Sequence, residues 1–307
     1  MSAIGELQRM RKGSRGPLGG GRRDNKAAFV FLAPWFAGLL FITAGPIAAS
    51  FVLGFTDYNL IQPPTFNGLD NFARMLTDAR LHKALGVTLI YVVVSVPLQL
   101  GAALGLALLL DKGLRGLAFY RSAFYLPSLL GSSVAVAVLW RQIFGADGLI
   151  NQLLGIEGRG WISDPDTALW TLIILNVWTF GAPMVIFLAG LRQIPRMYYE
   201  AAATDGAGKW TQFRSITIPL LSPIVFFNLV LQIIHAFQSF TQAFVVSGGT
   251  GGPSDSTLFY TLYLYQRGFG NFDMGYASAL AWLLLVIIAG ITAVNFWAAK
   301  FWVVYDD

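Results

Sequence analysis

Among the side chains able to do chemistry in this chain, the best spaced are the amides and imidazole of Gln232, His235, Gln238 and Gln242. His235 precedes Gln238 by three residues and Gln242 follows it by four, so a helix through them carries all three on one face. Such groups hydrogen-bond hydroxyls rather than break covalent bonds. Two uses stand open for the stripe: lining a path for a sugar, or hydrogen bonding between packed helices. Asn176 adds an amide and Trp178 an indole able to cover the apolar face of a sugar ring, just ahead of Gly181-Ala182-Pro183, which weakens a helix. Asp164 and Asp166 flank a proline and read as solvated turn charge, not as a catalytic pair. The two histidines, His82 and His235, lie far apart, and with no cysteine in the chain Cys-built metal sites and disulfides are excluded. Gly206-Ala207-Gly208-Lys209 imitates the end of a phosphate-binding loop, but Ala203 stands where that pattern needs Gly and Trp210 where it needs Ser or Thr. The expectation is a chain that is not an enzyme, binds no metal or cofactor of its own and has no nucleic acid among its partners.

These residues sit in a chain built for lipid. Of its 307 residues 55% are hydrophobic and the mean hydropathy is +0.60, too apolar for a soluble domain of this size. Apolar runs at about 27–55, 85–110, 122–140, 168–191, 220–246 and 274–301 each reach the roughly 20 residues that a helix needs to cross the hydrocarbon core. They predict six transmembrane helices, since lipid cannot satisfy free backbone groups and the alternation of a barrel is missing. Asn176 and Trp178 fall in the fourth run, the His235 stripe in the fifth. Gly101 and Gly105, four apart in the second, suit tight packing within the chain or against a partner helix. Trp140 and Trp170, near run ends, suit interface anchors.

The net charge of +5 matters less than its distribution. Residues 1–26 are Gly-rich and basic, as expected of a disordered cytoplasmic tail, and the run that follows far exceeds the about 7 to 15 residues of a signal-peptide core. Lys112, Arg115 and Arg121 mark the second loop, and Arg192, Arg196, Lys209 and Arg214 the fourth, whereas the other loops balance their cations with carboxylates. The positive-inside rule then puts both termini and the segment 191–219 in the cytoplasm.

That segment reads as two short helices around a tight turn. Pro195 suits a first helical position, Ala201 to Ala203 form a helix face without bulk, and Asp205-Gly206 stops the helix. A second helix from Gly208 carries Phe213 and Ile216 on one side, and Pro219 marks its end. Glu200-Ala201-Ala202, then Asp205-Gly206-Ala207, Phe213 and the Ile216-x-Ile218-Pro219 close resemble the EAA loop of bacterial ABC importer permeases. The form with all these positions filled is similar to the maltose-permease-like branch that takes up oligosaccharides and glycerol phosphates. Phe66-Asn67-Gly68-Leu69-Asp70-Asn71-Phe72 resembles a segment preceding the permease core in that family, and reads equally well as a surface turn leading into an amphipathic helix. Ser247 to Pro253, with its Gly-Gly-Pro, reads as a flexible turn.

The resemblance implies an all-α integral membrane protein of type I (MetI-like) fold, with a transmembrane permease domain over 27–307 whose last five helices form the core. It implies ATPase coupling through Glu200, Ala201, Ala202, Asp205, Gly206, Ala207, Phe213, Ile216 and Pro219, and contributions to the substrate path from the helices that carry Asn176, Trp178, Gln232, His235, Gln238 and Gln242. The implied partners are a second, homologous permease subunit, two ATP-binding subunits that hold the ATP and magnesium, an extracellular or periplasmic sugar-binding protein and the bilayer of a bacterial inner membrane. The extra external domain of some maltose permeases is absent, so maltose is not assigned. Two other classes remain: an ion-coupled secondary carrier, disfavoured because the apolar runs hold no Asp or Glu in their cores, and a membrane scaffold without transport.

Overall fold

The computed structural model describes residues 22–113, 116–158 and 160–304, and the chain divides into two compact units, residues up to Val52 and residues from Leu53. In the first, α1 (Arg22–Gly38) runs through a π-helical turn at Leu39–Ala44 into α2 (Gly45–Leu53). The turn precedes Pro46, whose missing N–H interrupts the ordinary ladder. Residues 1–21 of the expected tail lie outside the described residues; 22–26 are already helical, because nothing between Arg22 and Ala28 breaks a helix.

The second unit begins with a short antiparallel pair, β1 (Thr56–Asp57) and β2 (Thr65–Phe66), followed by α3 (Asp70–Met75). Asn71, only 6% exposed, donates through Nδ2 to the carbonyls of Gly54 at 3.0 Å and Thr56 at 2.9 Å, and the rings of Phe55 and Phe72 pack at 5.1 Å. The 66–72 segment is therefore a structural brace as well as a turn. Asn71→Ala and Asn71→Asp both remove the shared donor and are expected to lower stability by about 1–3 kcal/mol, readable as a lower unfolding temperature in detergent.

The hub of this unit is α4 (Ala79–Asp111). Leu81, Ala84, Thr88, Tyr91, Val92, Ser95, Gln99, Ala103 and Ala107 form its buried stripe at helical spacing, which makes it the helix on which the others pack. Gly101 and Gly105 are not on that stripe, and a side chain at either would meet nothing within 4 Å. Their expected use for tight packing within the chain is not what the fold does; Ala103 and Ala107, both fully buried, take that part.

Next come α5 (Leu117–Leu130), α6 (Val134–Ile143), α7 (Leu149–Leu154), α8 (Ala168–Trp178) and α9 (Gly181–Leu191). Among the described residues, four helical segments are long and apolar enough to cross a membrane, Phe29–Leu53, Ala79–Asp111, Lys209–Val246 and Met274–Ala299, and the total reaches six if the bent pairs α5–α6 and α8–α9 each count as one span. The first pair bends by 93°, so the third run is not the single helix expected over 122–140. Gly131 ends α5, and Ser133 starts α6 afresh by accepting from the Val136 N–H at 3.2 Å. Trp140, expected as an interface anchor, donates to the Thr171 carbonyl at 2.9 Å.

The 191–219 segment gives α10 (Arg196–Thr204) and α11 (Lys209–Gln212), followed by a π-helical turn at Phe213–Thr217, α12 (Ile218–Phe237) and α13 (Thr241–Val246). Two expectations change. Pro195 is the residue before the first helical turn, not within it, and Pro219 does not close a separate helix. The turn at 213–217 takes up the missing proline N–H, so α11 leads continuously into the fifth span. That span breaks later, at Gln238–Phe240, and the Gln238–Gln242 face is not one helix.

The chain closes with α14 (Tyr260–Tyr265), a π-helical turn at Gln266–Gly270 and α15 (Met274–Ala299). At this end Asp78 caps α4, accepting from the N–H groups of Arg80 and Leu81, both at 3.1 Å. Its carboxylate also accepts from Tyr263, from Tyr276 at 2.8 Å and from Arg267 at 3.4 Å. Ion pairs of Arg74 with Asp273 at 2.8 Å and Arg80 with Asp255 at 2.7 Å flank it. The Ser247–Pro253 turn is not loose: Gln266 holds the Gly249 carbonyl at 2.8 Å, and the Thr257 N–H holds that of Gly251 at 2.8 Å.

Candidate functional site

Three of the helices break at neighbouring points: α5–α6 at Gly131–Ser133, α8–α9 at Thr179–Phe180, and α12–α13 at Gln238–Phe240. The middle break follows from Pro183. An uninterrupted helix would pair the Thr179 carbonyl with the N–H of residue 183, and proline has none. Two side chains take its place: Ser128 Oγ donates to Thr179 O at 2.8 Å, and Gln99 Nε2 donates at 3.2 Å. Ser128 Oγ in turn accepts from the Ala182 N–H at 2.8 Å. Backbone freed in the bundle is thus satisfied by neighbours, the condition under which a broken helix is tolerated in lipid.

Glycines allow the breaks to nest. A Cβ on Gly131 would lie 2.1 Å from Thr179 Cγ2, and one on Gly181 would lie 2.2 Å from the Phe124 carbonyl. The third break joins through Gln242, whose Nε2 donates to the Gly131 carbonyl at 3.0 Å. Thr261 Oγ1 donates to the Ser239 carbonyl.

A pocket of about 460 Å³ lies against these breaks, lined by Tyr91, Ser128, Gly131, Ser132, Asn176, Thr179, Gln232, His235, Gln238, Ser239, Phe240, Thr241 and Gln242. Asn176, Gln232, His235, Gln238 and Gln242, scattered over two sequence runs, therefore meet at one place. Gln232 and His235 lie three apart on α12 and Gln238 ends that helix, while Gln242 on α13 and Asn176 on α8 join them where the chain breaks. Of the two uses open for the stripe, hydrogen bonding between packed elements is met by Gln242, which braces Gly131, and the group as a whole lines a cavity. Trp178 is not among the lining residues; its ring faces that of Trp140 at 6.1 Å, and the pocket's aromatic rings are Tyr91 and Phe240. Sequence reasoning missed Tyr91, Ser128, Thr179 and Gln99. The available signal was Pro183, which orphans one identifiable carbonyl, together with a lone amide in the apolar 85–110 run.

The second site is the projecting loop. No residue of α10 is buried. Gly206, at φ +80°, ends the helix with a full double cap: its N–H donates to Ala203 O at 3.1 Å, and the Ala207 N–H donates to Ala202 O at 2.9 Å. Gln212 Nε2 reaches back to the Ala207 carbonyl at 3.0 Å. Tyr199 and Thr217 hydroxyls meet at 2.9 Å, which ties α10 to the foot of the fifth span, and Arg192 lies 3.6 Å from Asp111 at the end of α4. Glu200, Ala201 and Asp205 are exposed; Ala202, Ala207, Phe213, Ile216 and Pro219 are half-buried. Met197 at 67% and Trp210 at 72% exposure give the knob an apolar rim. The Gly206–Lys209 stretch caps α10 and opens α11, so it lies between two helices.

Comparison with known proteins gives the family of the chain. Residues 83–301, from the first turns of α4 to just beyond α15, match the family described as binding-protein-dependent transport system inner membrane component. The probable ABC transporter permease protein YesP of Bacillus subtilis is 51% identical over 93% of this chain and 94% of its own length. The lactose transport system permease protein LacF of Rhizobium radiobacter is 34% identical over 89% of this chain and 93% of its own. In fold, a chain of a bacterial ABC transporter involved in the import of the acidic polysaccharide alginate superposes with a TM-score of 0.78 at 20% identity, covering 91% of this chain and 96% of that one. A family match across most of the chain, with a relative that shares half its residues end to end, makes this protein a member of the binding-protein-dependent transport system inner membrane component family.

Proposed function

We propose that this chain is the permease subunit of an ATP-driven importer for a di- or oligosaccharide or a related polyol or glycerol phosphate. The observation that carries the sugar reading is the pocket at the three breaks. Its wall offers amides, hydroxyls and one imidazole to a solute's hydroxyl groups, and the half-buried ring of Phe240 to its apolar face. Relatives named for lactose and for arabinooligosaccharides support the same class.

In this reading the 191–219 loop is the docking knob for an ATP-binding subunit, and hydrolysis of ATP-Mg belongs to that partner. Glu200 anchors the loop, Ala201 and Ala202 permit close approach, and Gly206 sets the turn. The concentration of Lys and Arg on alternate loops supports a bacterial inner-membrane chain with both termini and the knob in the cytoplasm. A second permease subunit completes the path, a second ATP-binding subunit completes the motor, and an external sugar-binding protein delivers the solute. Closure of the ATPases moves the knob and rocks the helices as rigid bodies, so that the pocket opens to alternate sides.

Reconstitution of the whole complex in proteoliposomes, with its binding protein and a panel of sugars, polyols and glycerol phosphates, tests the proposal. The double variant Gln232→Ala/His235→Ala loses two hydrogen-bonding groups and is expected to lower uptake per ATP hydrolysed by about tenfold or more. Unchanged uptake of every solute by that variant would sink the pocket's assignment.

A further inference from the structure

Gln99 does not line the pocket, yet it touches two residues that do. It lies in the middle of α4 at 2% exposure, where a buried amide is costly unless paired. Its Nε2 donates to Thr179 O at 3.2 Å and to Thr179 Oγ1 at 3.0 Å, and its Oε1 accepts from Asn176 Nδ2 at 3.4 Å. We infer that Gln99 is a positioning residue of the transport path: it fixes the broken fourth span in the register that puts Asn176 and Thr179 into the pocket wall.

The inference rests on the sugar-path reading for its meaning, but its geometry stands alone. Pro183 leaves the Thr179 carbonyl without its helical donor, and Ser128, from α5, supplies one replacement. Gln99 supplies another from α4, so the break is held from two sides. Two anchors on different helices define a position where one would leave a swivel. The same amide engages the nitrogen of Asn176, which leaves Asn176 Oδ1 as the atom available to a solute hydroxyl. Thr179 Oγ1 donates to the Asn176 carbonyl at 2.7 Å, which closes a ring of bonds linking Gln99, Thr179 and Asn176. Gly131, packed directly on Thr179, passes the same register to the break between α5 and α6.

The chain has no cysteine, so single reporters can be placed without first removing any. The assembled importer is made with Asn176→Cys or Gln232→Cys, each combined with Gln99, Gln99→Leu or Gln99→Glu, and the alkylation rate by a small maleimide is measured in proteoliposomes without sugar. Loss of the shared donor in Gln99→Leu is expected to change the rate at position 176 by about tenfold and that at position 232 by less than about twofold. Gln99→Glu adds a reading that a bulk effect on folding would not give. A neutral carboxyl, favoured by burial, donates to Thr179 as the amide does; once ionised it only accepts, and faces the carbonyl with like polarity. Relative to Gln99 at the same pH, its rate at position 176 is expected to match in acid and to depart as pH rises. An unchanged rate at 176 in Gln99→Leu, equal changes at both reporters, or a Gln99→Glu ratio flat with pH would each overturn the inference. If Gln99→Leu fails to assemble, the Gln99→Glu pH series decides. Because no sugar enters the measurement, these failures leave the pocket's proposed role standing, whereas normal uptake by Gln232→Ala/His235→Ala removes that role without touching the geometry.

Discussion

Valine at position 206 is expected to cut ATP-driven uptake by about tenfold or more in the reconstituted complex, because a left-handed residue with a Cβ costs roughly 1–2 kcal/mol, and more when β-branched. The backbone at Gly206 has φ +80°, and both capping bonds that end α10 depend on it. No atom lies within 4 Å of where a Cβ would go, so the penalty in the free chain is conformational, not steric. A graded series separates the two ways the glycine can matter. If turn geometry decides, Gly206→Asn is mild, since asparagine tolerates this conformation, Gly206→Ala is intermediate and Gly206→Val severe. If close approach of the partner decides, the order follows side-chain size and Gly206→Asn falls well below Gly206→Ala. Sugar-stimulated ATP hydrolysis, measured beside uptake, reports coupling itself; wild-type values of both in Gly206→Val would end the docking role of this turn.

The largest loss of stability is expected from Asp78→Ala. The carboxylate has 8% side-chain exposure and gathers Tyr263, Tyr276, Arg267 and two N–H groups of α4, so one truncation unties α14, α15 and the start of the hub helix together. It also strands Arg267, whose Nε donates to Tyr263 Oη at 2.7 Å. Removing one partner of such a pair costs about 3–5 kcal/mol, or roughly 5–10 °C in the detergent unfolding temperature. Burial by itself would raise the Asp78 pKa, but hydrogen bonds from Tyr263, Tyr276 and the Leu81 N–H, together with the charge of Arg267, outweigh it and hold it below the usual carboxylate value. Tyr263 stays a donor throughout the accessible range, its own pKa pushed up to about 12 by burial and by its bond to Asp78. A carboxyl depressed in the folded state stabilises above its unfolded pKa, and that contribution disappears as pH falls through the folded value. Acid should therefore weaken the wild type below about pH 4, and Asp78→Asn, with no charge to lose, should show a flatter decline over the same range. Parallel acid profiles for the two proteins would remove Asp78 as the source of that dependence.

Composition and the lengths of the apolar runs settle the class without any coordinates. Lipid forbids unpaired backbone, so runs of this length become helices, and Asp205-Gly206 between an alanine helix and an apolar run becomes a capped turn. Those outcomes are local: each depends on a residue's own backbone preferences or on solvent. Asn176, Gln232 and His235 were also legible as polar groups out of place in apolar runs.

What only the tertiary structure decided is where the helices stop and what they then touch. Hydropathy sees that 122–140 is apolar and cannot see that the chain turns by 93° there, with Gly131 lying on Thr179. Periodicity put Gln238 and Gln242 on one face; the break between them brings both to the pocket by another route. Gln99 looks like one amide among leucines until the fourth span delivers the Thr179 carbonyl to it, and Asp78 like one loop charge among several until Tyr263 and Tyr276 arrive from the far end of the chain. Pairings of this sort join residues 80 to about 200 positions apart. Their partners are set by which helices pack side by side, a property that neither composition nor helical period encodes at any single position.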